Sequence, residues 1–449
     1  MENLINENIL YAVLCPLLLM FMPIRGYYNF IVYCMFALLM VGIVGYDPVS
    51  IIIPFLFACG VIFGHLRIKF VNYPPLLQIL IIIFLSFTLI SFLVGDPVWN
   101  WVIRFLSALI FYYFAYLFIE SEQRMRRIFF AILIGSLVSS FIAVMAIFNI
   151  WTPGPLFFPV FSSFRFAGLY NTTILGIFTA ILIIWLLDET LKPKLWHGFI
   201  LLKIIILIIL FIQILFTLTR SAWLGLSIGL VIYFSIELMN NRLRKNILIF
   251  TGIVTIVFAA SLLISSSESF ELVRDRIIKD SLTDRSIQEG ERESFYYTQN
   301  ALNLAKDHPF GLGIGQTGLL GSEVEGFSLG AHNSYIHILA DMGWLTFAAF
   351  MLIIIIMLLK ILPGALKRRT KYGLSYQATL SNIIVLIVAG LYQDLILWLP
   401  MWLVPSFLTI LVFSKNNKSI LNKSASSLKI YNMLLDPHHY KGSYRKLPE

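Results

Sequence analysis

The sequence predicts an all-α, polytopic transmembrane helix bundle, and three observations carry that reading. Hydrophobic residues fill 59% of the 449 positions and charged residues only 13%. A water-soluble core has no use for that much apolar surface, whereas runs of about 20 apolar residues match the hydrocarbon thickness of a bilayer. Such runs recur along the whole chain, without the apolar–polar alternation of a membrane β-barrel.

In order, the runs lie at 8–22, 27–45, 49–64, 76–94, 99–119, 127–150, 171–187, 196–216, 222–238, 247–264, 333–359, 376–394 and 399–414. They make 12–13 spans, because the first run is short and carries Pro16 and Pro23. The short connections then sort by charge. His65/Arg67/Lys69, Arg124/Arg126/Arg127, Lys192/Lys194, Arg242/Arg244/Lys245 and Lys367/Arg368/Arg369/Lys371 fall on alternate loops. The intervening "YDPV" (46–49), "GDPVW" (95–99) and "QDLILWLP" (393–400) carry no basic residue. The positive-inside rule assigns the basic loops and the tail after Lys415 to the cytoplasm. Thirteen spans put the N-terminus outside and twelve put it inside; both remain open. The net charge of +9 is therefore an orientation signal facing anionic lipid, and no nucleic-acid partner is expected.

Four regions follow. Residues 1–264 hold transmembrane helices with an outer loop at 151–170, 265–331 a large extracytoplasmic loop region, 332–414 the C-terminal transmembrane helices, and 415–449 a basic cytoplasmic tail. The large loop has eleven acidic residues against six basic ones. Within it "RESFYYTQNALNLAKDH" has helical apolar spacing, and Phe295 and Leu302 would let that helix lie on the membrane. A loop of this length is more often functional than idle. Cys15, Cys34 and Cys59 sit inside apolar runs without metal-ligand spacing, so neither a disulfide nor zinc is expected. The first run has no basic leader and no small-residue cleavage site, so no cleavable signal is expected.

Candidate chemistry gathers on the outer side. Arg220, in "LFTLTRSAWLGL", stands between two apolar runs. An arginine at membrane depth is costly and usually has a purpose, although one snorkelling to headgroups is a common alternative. Arg165 in "SSFRFAGLYNTTILG" has a similar placement, while Arg292 in "GERESFYY" lies in the long loop, where a solvated charge is the default. Together the three guanidinium groups could bind a pyrophosphate bidentately. "PFGLGIGQTG" carries Gly311, Gly313, Gly315 and Gly318 but matches neither a Walker A loop nor a Rossmann fingerprint. Its glycines would let the backbone pass close to the membrane surface or a substrate.

The stretch "GAHNSYIHILADMGW" (330–344) follows. Asn333 or Ser334 can cap the helix, which leaves His332 unexplained. His337 and Asp341, four residues apart, share a helix face. His332 is the better candidate base, standing where an acceptor arrives from water. There is no D-x-D carboxylate pair, Glu323 and Glu325 reading as solvated, so no metal and no cofactor is expected.

These segments together resemble a known family. "RFAGLYNTTILG", "TLTRSAWLGL", "RESFYYTQNALNLAKDHPFGLGIG" and "HNSYIHILADMGW" occur in the order seen in the O-antigen ligase and O-antigen polymerase superfamily, and the likeness extends over most of the chain. The most specific element is the "HN…D-x-G" that follows "P-x-G-x-G". The resemblance implies a GT-C-like fold and a glycosyltransferase using an undecaprenyl-diphosphate-linked glycan donor, with neither nucleotide sugar nor metal. It implies Arg165, Arg220 and Arg292 as donor-diphosphate ligands, and His332 as the group that activates the acceptor hydroxyl. Asn333, Gly313 and Gly315 would support the site. The chain departs from the family at Asp341, where Glu is more usual, and at Tyr296, near which the family has Trp.

The chemistry so implied is coherent. A lipid diphosphate is already a good leaving group, so charge stabilisation by arginine and a base at the acceptor suffice. Backside attack inverts the anomeric centre. The primary expectation is a polymerase joining carrier-linked repeat units at the outer face of the inner membrane. It rests on the Ile-, Lys-, Asn- and Phe-rich composition, as low-GC genomes encode; an organism without an outer membrane has no lipid A–core to receive the glycan. The alternative is an O-antigen ligase acting on lipid A–core. A lipid-linked glycan transporter or flippase is a third reading, disfavoured by the lack of internal repeats. Expected partners are the donor, a glycan acceptor, membrane lipid and a chain-length regulator.

Overall fold

A computed structural model describes residues 22–41, 46–147, 172–193, 195–196, 198–217, 219–239, 299, 301–317, 333–393, 395 and 399–413. Besides a helical stretch at 301–307, twelve α-helices lie among them: α1 Arg25–Val41, α2 Tyr46–Ile62, α3 Pro75–Val94, α4 Trp99–Phe118, α5 Glu122–Ile147, α6 Thr172–Leu191, α7 Ile200–Phe216, α8 Arg220–Leu238, α9 Ser334–Met342, α10 Trp344–Leu366, α11 Tyr376–Gly390 and α12 Leu403–Phe413. A 3-10 turn, Leu399–Trp402, leads into α12, and a two-residue hairpin pairs β1 (Thr370–Lys371) with β2 (Leu374–Ser375). The chain divides into Met1–Val412 and Phe413–Glu449, and of the second unit only Phe413 is described.

Six of these helices, α3, α4, α5, α6, α8 and α10, are long and apolar enough to cross a membrane; apolar parts of α2, α7, α11 and α12 are shorter. The protein is thus a largely helical, multi-spanning membrane bundle. Helix is forced on such segments because a backbone in lipid must satisfy its polar groups internally. The predicted span at 247–264, and that at 8–22 apart from Met22, lie outside the described residues.

α6 is almost wholly buried and forms the centre, packed against α7, α8 and α11. Small residues bring these backbones together. A Cβ on Gly229 would meet Val385 Cγ2 at 2.7 Å and Ile184 Cδ1 at 2.8 Å, so α8 seats against α11 and α6 only because that position has no side chain. Close approach through glycine is the usual way membrane helices gain packing, since lipid supplies no hydrophobic drive between them. α3 and α10 pack on each other and turn apolar side chains such as Leu89, Leu93, Ile355 and Leu359 outward.

One predicted element changes form. The apolar run 333–359 is two helices, α9 and α10, because Gly343 stands between them at φ +88. A Cβ there would lie 2.6 Å from Pro309 O, and Trp344 N donates to the same carbonyl at 3.1 Å. The helix breaks where another chain segment passes against it.

The connections segregate to two ends. Lys69 pairs with Glu120 at 2.5 Å, a Cβ on Gly373 would meet Leu195 and Glu122, and Glu237 receives both Lys192 and Arg368. Those contacts join four of the basic connections. At the other end, the basic-free connections 95–98 and 393–395 meet α9 and the glycine-rich segment before it.

Candidate functional site

α9 has only nine residues, yet two connections bond to it directly and a third reaches it through the glycine-rich segment. Its start is fixed by Asn333, whose extended backbone lets Oδ1 accept from Tyr335 N at 2.9 Å and Ile336 N at 3.2 Å. This satisfies two of the amides that a helix start leaves unpaired. Ser334 turns to the C-terminal connection instead. Its hydroxyl donates to Gln393 O at 2.7 Å and accepts from Leu395 N at 2.7 Å, and its amide also donates to Gln393 O.

The other end of α9 is built around Asp341, whose side chain is buried. Its carboxylate accepts from Gly315 N at 2.9 Å (Oδ2), and from Thr317 N at 2.9 Å and the Thr317 hydroxyl (both Oδ1). Its own carbonyl accepts from Gly313 N at 3.0 Å and from the Ser91 hydroxyl at 2.5 Å. A buried carboxylate needs such donors to offset lost hydration, and amide-to-carboxylate bonds are among the stronger ones. The glycine-rich segment is therefore zipped along the last turn of α9, with Leu312 N on Ala340 O at 3.0 Å.

The glycines make this approach sterically feasible. Gly311, Gly313 and Gly315 all have positive φ (90°, 105° and 89°). A Cβ on Gly311 would sit 2.4 Å from Asp341 O, and one on Gly313 3.0 Å from Asp96 N. Positive φ costs glycine nothing and other residues appreciable strain. The close approach that Gly311 and Gly313 allow is thus to protein backbone, and that of Gly315 is to the side chains of Trp101 and Val98. The segment's other edge binds the connection after α3: Asp96 N donates to Leu312 O at 3.1 Å, Val98 N to Ile314 O at 2.9 Å, and the Gln316 amide to Asp96 O.

His337 lies inside this hub. It is buried, its ring stacks on Trp101 with centroids 6.1 Å apart and planes 12° from parallel, and Nδ1 is 3.5 Å from Asp341 Oδ2. The helical stretch 301–307 packs here too, through Ala301 and Ala305 against Leu339 and Ala340, with Leu302 at the edge of that cluster. That face rests on α9, while Phe295 and the aromatics beside it lie outside the described residues.

Of the residues predicted for the site, Asn333, Gly313 and Gly315 meet at the hub. Arg220 is the first residue of α8, after Thr219; its side chain lies outside the described structure, as do Arg165, Arg292 and His332 entirely. Sequence reasoning missed the anchoring by Asp341, Thr317 and Ser91. The available signal was the spacing of "D-x-G" after "P-x-G-x-G".

Fold and hub define the class: a multi-spanning membrane protein with two basic-free connections, 95–98 and 393–395, tied together at one end of the bundle. Residues 204–351 match the family model described as O-antigen ligase, and the chain accordingly contains an O-antigen ligase/polymerase domain. The match runs from α7 into α10 and takes in Arg220, Arg292, the glycine-rich segment and all of α9. No curated protein matches the chain.

Proposed function

We propose that the protein transfers a glycan from an undecaprenyl-diphosphate carrier to an acceptor hydroxyl, at the extracytoplasmic end of the bundle and without a metal ion. The observation that carries this reading is the O-antigen ligase match over 204–351, which contains α9, the glycine-rich segment and the arginine that opens α8. The loop charges support the orientation, since the short connections at 95–98 and 393–395 that join this hub lack lysine and arginine. Arg165, Arg220 and Arg292 hold the donor diphosphate and stabilise the charge it gains as it leaves. His332 removes the acceptor proton while the oxygen attacks the anomeric carbon from the face opposite the diphosphate. The bond from that carbon to the phosphate oxygen breaks, the carrier departs as undecaprenyl diphosphate, and the configuration inverts.

The family's description supports a ligase, with lipid A–core as acceptor, ahead of a polymerase. Polymerisation of repeat units is the second reading, favoured by the Ile-, Lys-, Asn- and Phe-rich composition. The glycan profile of a deletion strain separates the two. Long carrier-bound chains are the expected result of losing a ligase; single-repeat products identify a polymerase. An unchanged profile would remove both.

A further inference from the structure

We propose that Asp341 is a positioning residue of the transfer site, a role that rests on the function proposed above. Three observations lead there. Its carboxylate is the common acceptor for Gly315 N, Thr317 N and the Thr317 hydroxyl, groups 24 and 26 residues away in the chain. Its carbonyl is the common acceptor for Gly313 N and the Ser91 hydroxyl on α3. The same residue therefore ties α3, the glycine-rich segment and α9 into one body.

The second part of the inference concerns what that body carries. α9 is a nine-residue helix, about 13 Å long at 1.5 Å per residue. Asp341 holds one end of it and the Asn333 cap the other, and His332 directly precedes the cap in sequence. So short a helix has little stability of its own, and its direction depends on what is bound at its ends. A base must sit within about half an ångström of its productive place, and rigid support from neighbouring residues supplies that precision. The Asp341 bonds are that support: releasing Gly315 and Thr317 leaves the last turn of α9 held to the glycine-rich segment and α3 by its carbonyls alone, and lets the helix tilt. A carboxylate suits the task better than a neutral amide, because the three groups hydrogen-bonded to it are all donors.

The test is steady-state transfer by purified full-length protein in lipid vesicles. The donor is lipid-linked glycan extracted from a strain lacking the chain, and thermal unfolding is read on the same preparations. Asp341→Asn presents an NH2 group or a single carbonyl where two acceptor oxygens stood. The expected result is a kcat lowered about ten-fold or more with donor KM nearly unchanged, as for misplacement of a catalytic group. Thr317→Val should fall in the same direction, and Thr317→Ser, which keeps the hydroxyl, should restore turnover relative to it. Folded Asp341→Asn protein with normal kcat, beside active wild type, overturns this role alone. Should Asp341→Asn fail to fold, the threonine pair decides, and a folded Thr317→Val protein with normal kcat overturns it equally. Wild-type protein that transfers nothing from the carrier overturns the proposed function and this role with it.

Discussion

The carboxylate of Glu237, at the end of α8, receives the ammonium of Lys192 and the guanidinium of Arg368, which reach it from two different connections. Glu237 is 2% exposed. Gln377 accepts from Lys192 at 2.9 Å and donates to Tyr233 O at 2.7 Å, and Tyr233 donates to Asp188 at 2.8 Å. α6, α8 and α11 are thereby locked together at the end of the bundle opposite α9.

Removing the central carboxylate should be costly. Glu237→Ala leaves two cations facing each other without it, and loss of one partner from a buried ion pair costs about 3 kcal/mol. Thermal unfolding in detergent should show a clearly lowered midpoint, with transfer per folded molecule retained. An unshifted midpoint would show that the network contributes nothing to stability.

This network also marks a limit of reading the sequence. Lys192 and Arg368 count correctly toward orientation, yet nothing local reveals that a glutamate 45 residues from one and 131 from the other has claimed them. The helices were legible because each is written in a contiguous apolar run, and the Asn333 cap because capping is a local event. The break at Gly343 was not, since apolar composition continues across it and its cause is Pro309 passing nearby. In the same way the spacing of Gly311, Gly313 and Gly315 announces backbone freedom without saying what comes close. Asp341 and the connection at 95–98 supply that answer only in three dimensions.

The cap itself makes a modest, separable prediction. Asn333→Ala removes the acceptor for Tyr335 N and Ile336 N, and a lost N-cap costs about 1 kcal/mol. Asn333→Asp, which still offers an acceptor oxygen, should recover most of that in the same unfolding measurement. Equal losses in the two variants would assign Asn333 a role beyond capping.

Arg220→Lys should lose at least about ten-fold in transfer although the charge is kept, because an ammonium cannot reproduce a bidentate guanidinium fork. The motive is the placement of Arg220 at the first position of α8, within the matched domain. Near-normal product from this variant at equal expression would argue against diphosphate binding there.

Transfer should also proceed in the presence of EDTA. The reading requires arginine, not a divalent cation, to take up the charge of the leaving diphosphate. Membranes supplied with lipid-linked glycan provide the assay. A loss of activity that magnesium or manganese restores would overturn the metal-independent mechanism.

The two histidines of "HNSYIH" should respond differently to the same substitution. His337 is 4% exposed, stacked on Trp101 and 3.5 Å from Asp341 Oδ2, so its ring fills a place inside the hub. A ring so enclosed serves packing, whereas His332 precedes the helix in sequence, at the end where water-borne or lipid-borne acceptors arrive under the proposed orientation. His337→Ala deletes a ring stacked against an indole and should cost about 2–3 kcal/mol, as large-to-small changes in packed interiors do. Yield and unfolding temperature should fall further than turnover per folded molecule. His332→Ala should do the reverse: normal yield and unfolding, donor binding retained, and transfer reduced by a factor of about 100 or more, the signature of a group used only in the transition state. Measuring expression, unfolding and transfer on both variants decides the assignment. A His332→Ala protein with normal turnover, or a well-folded but inactive His337→Ala protein, would reverse it.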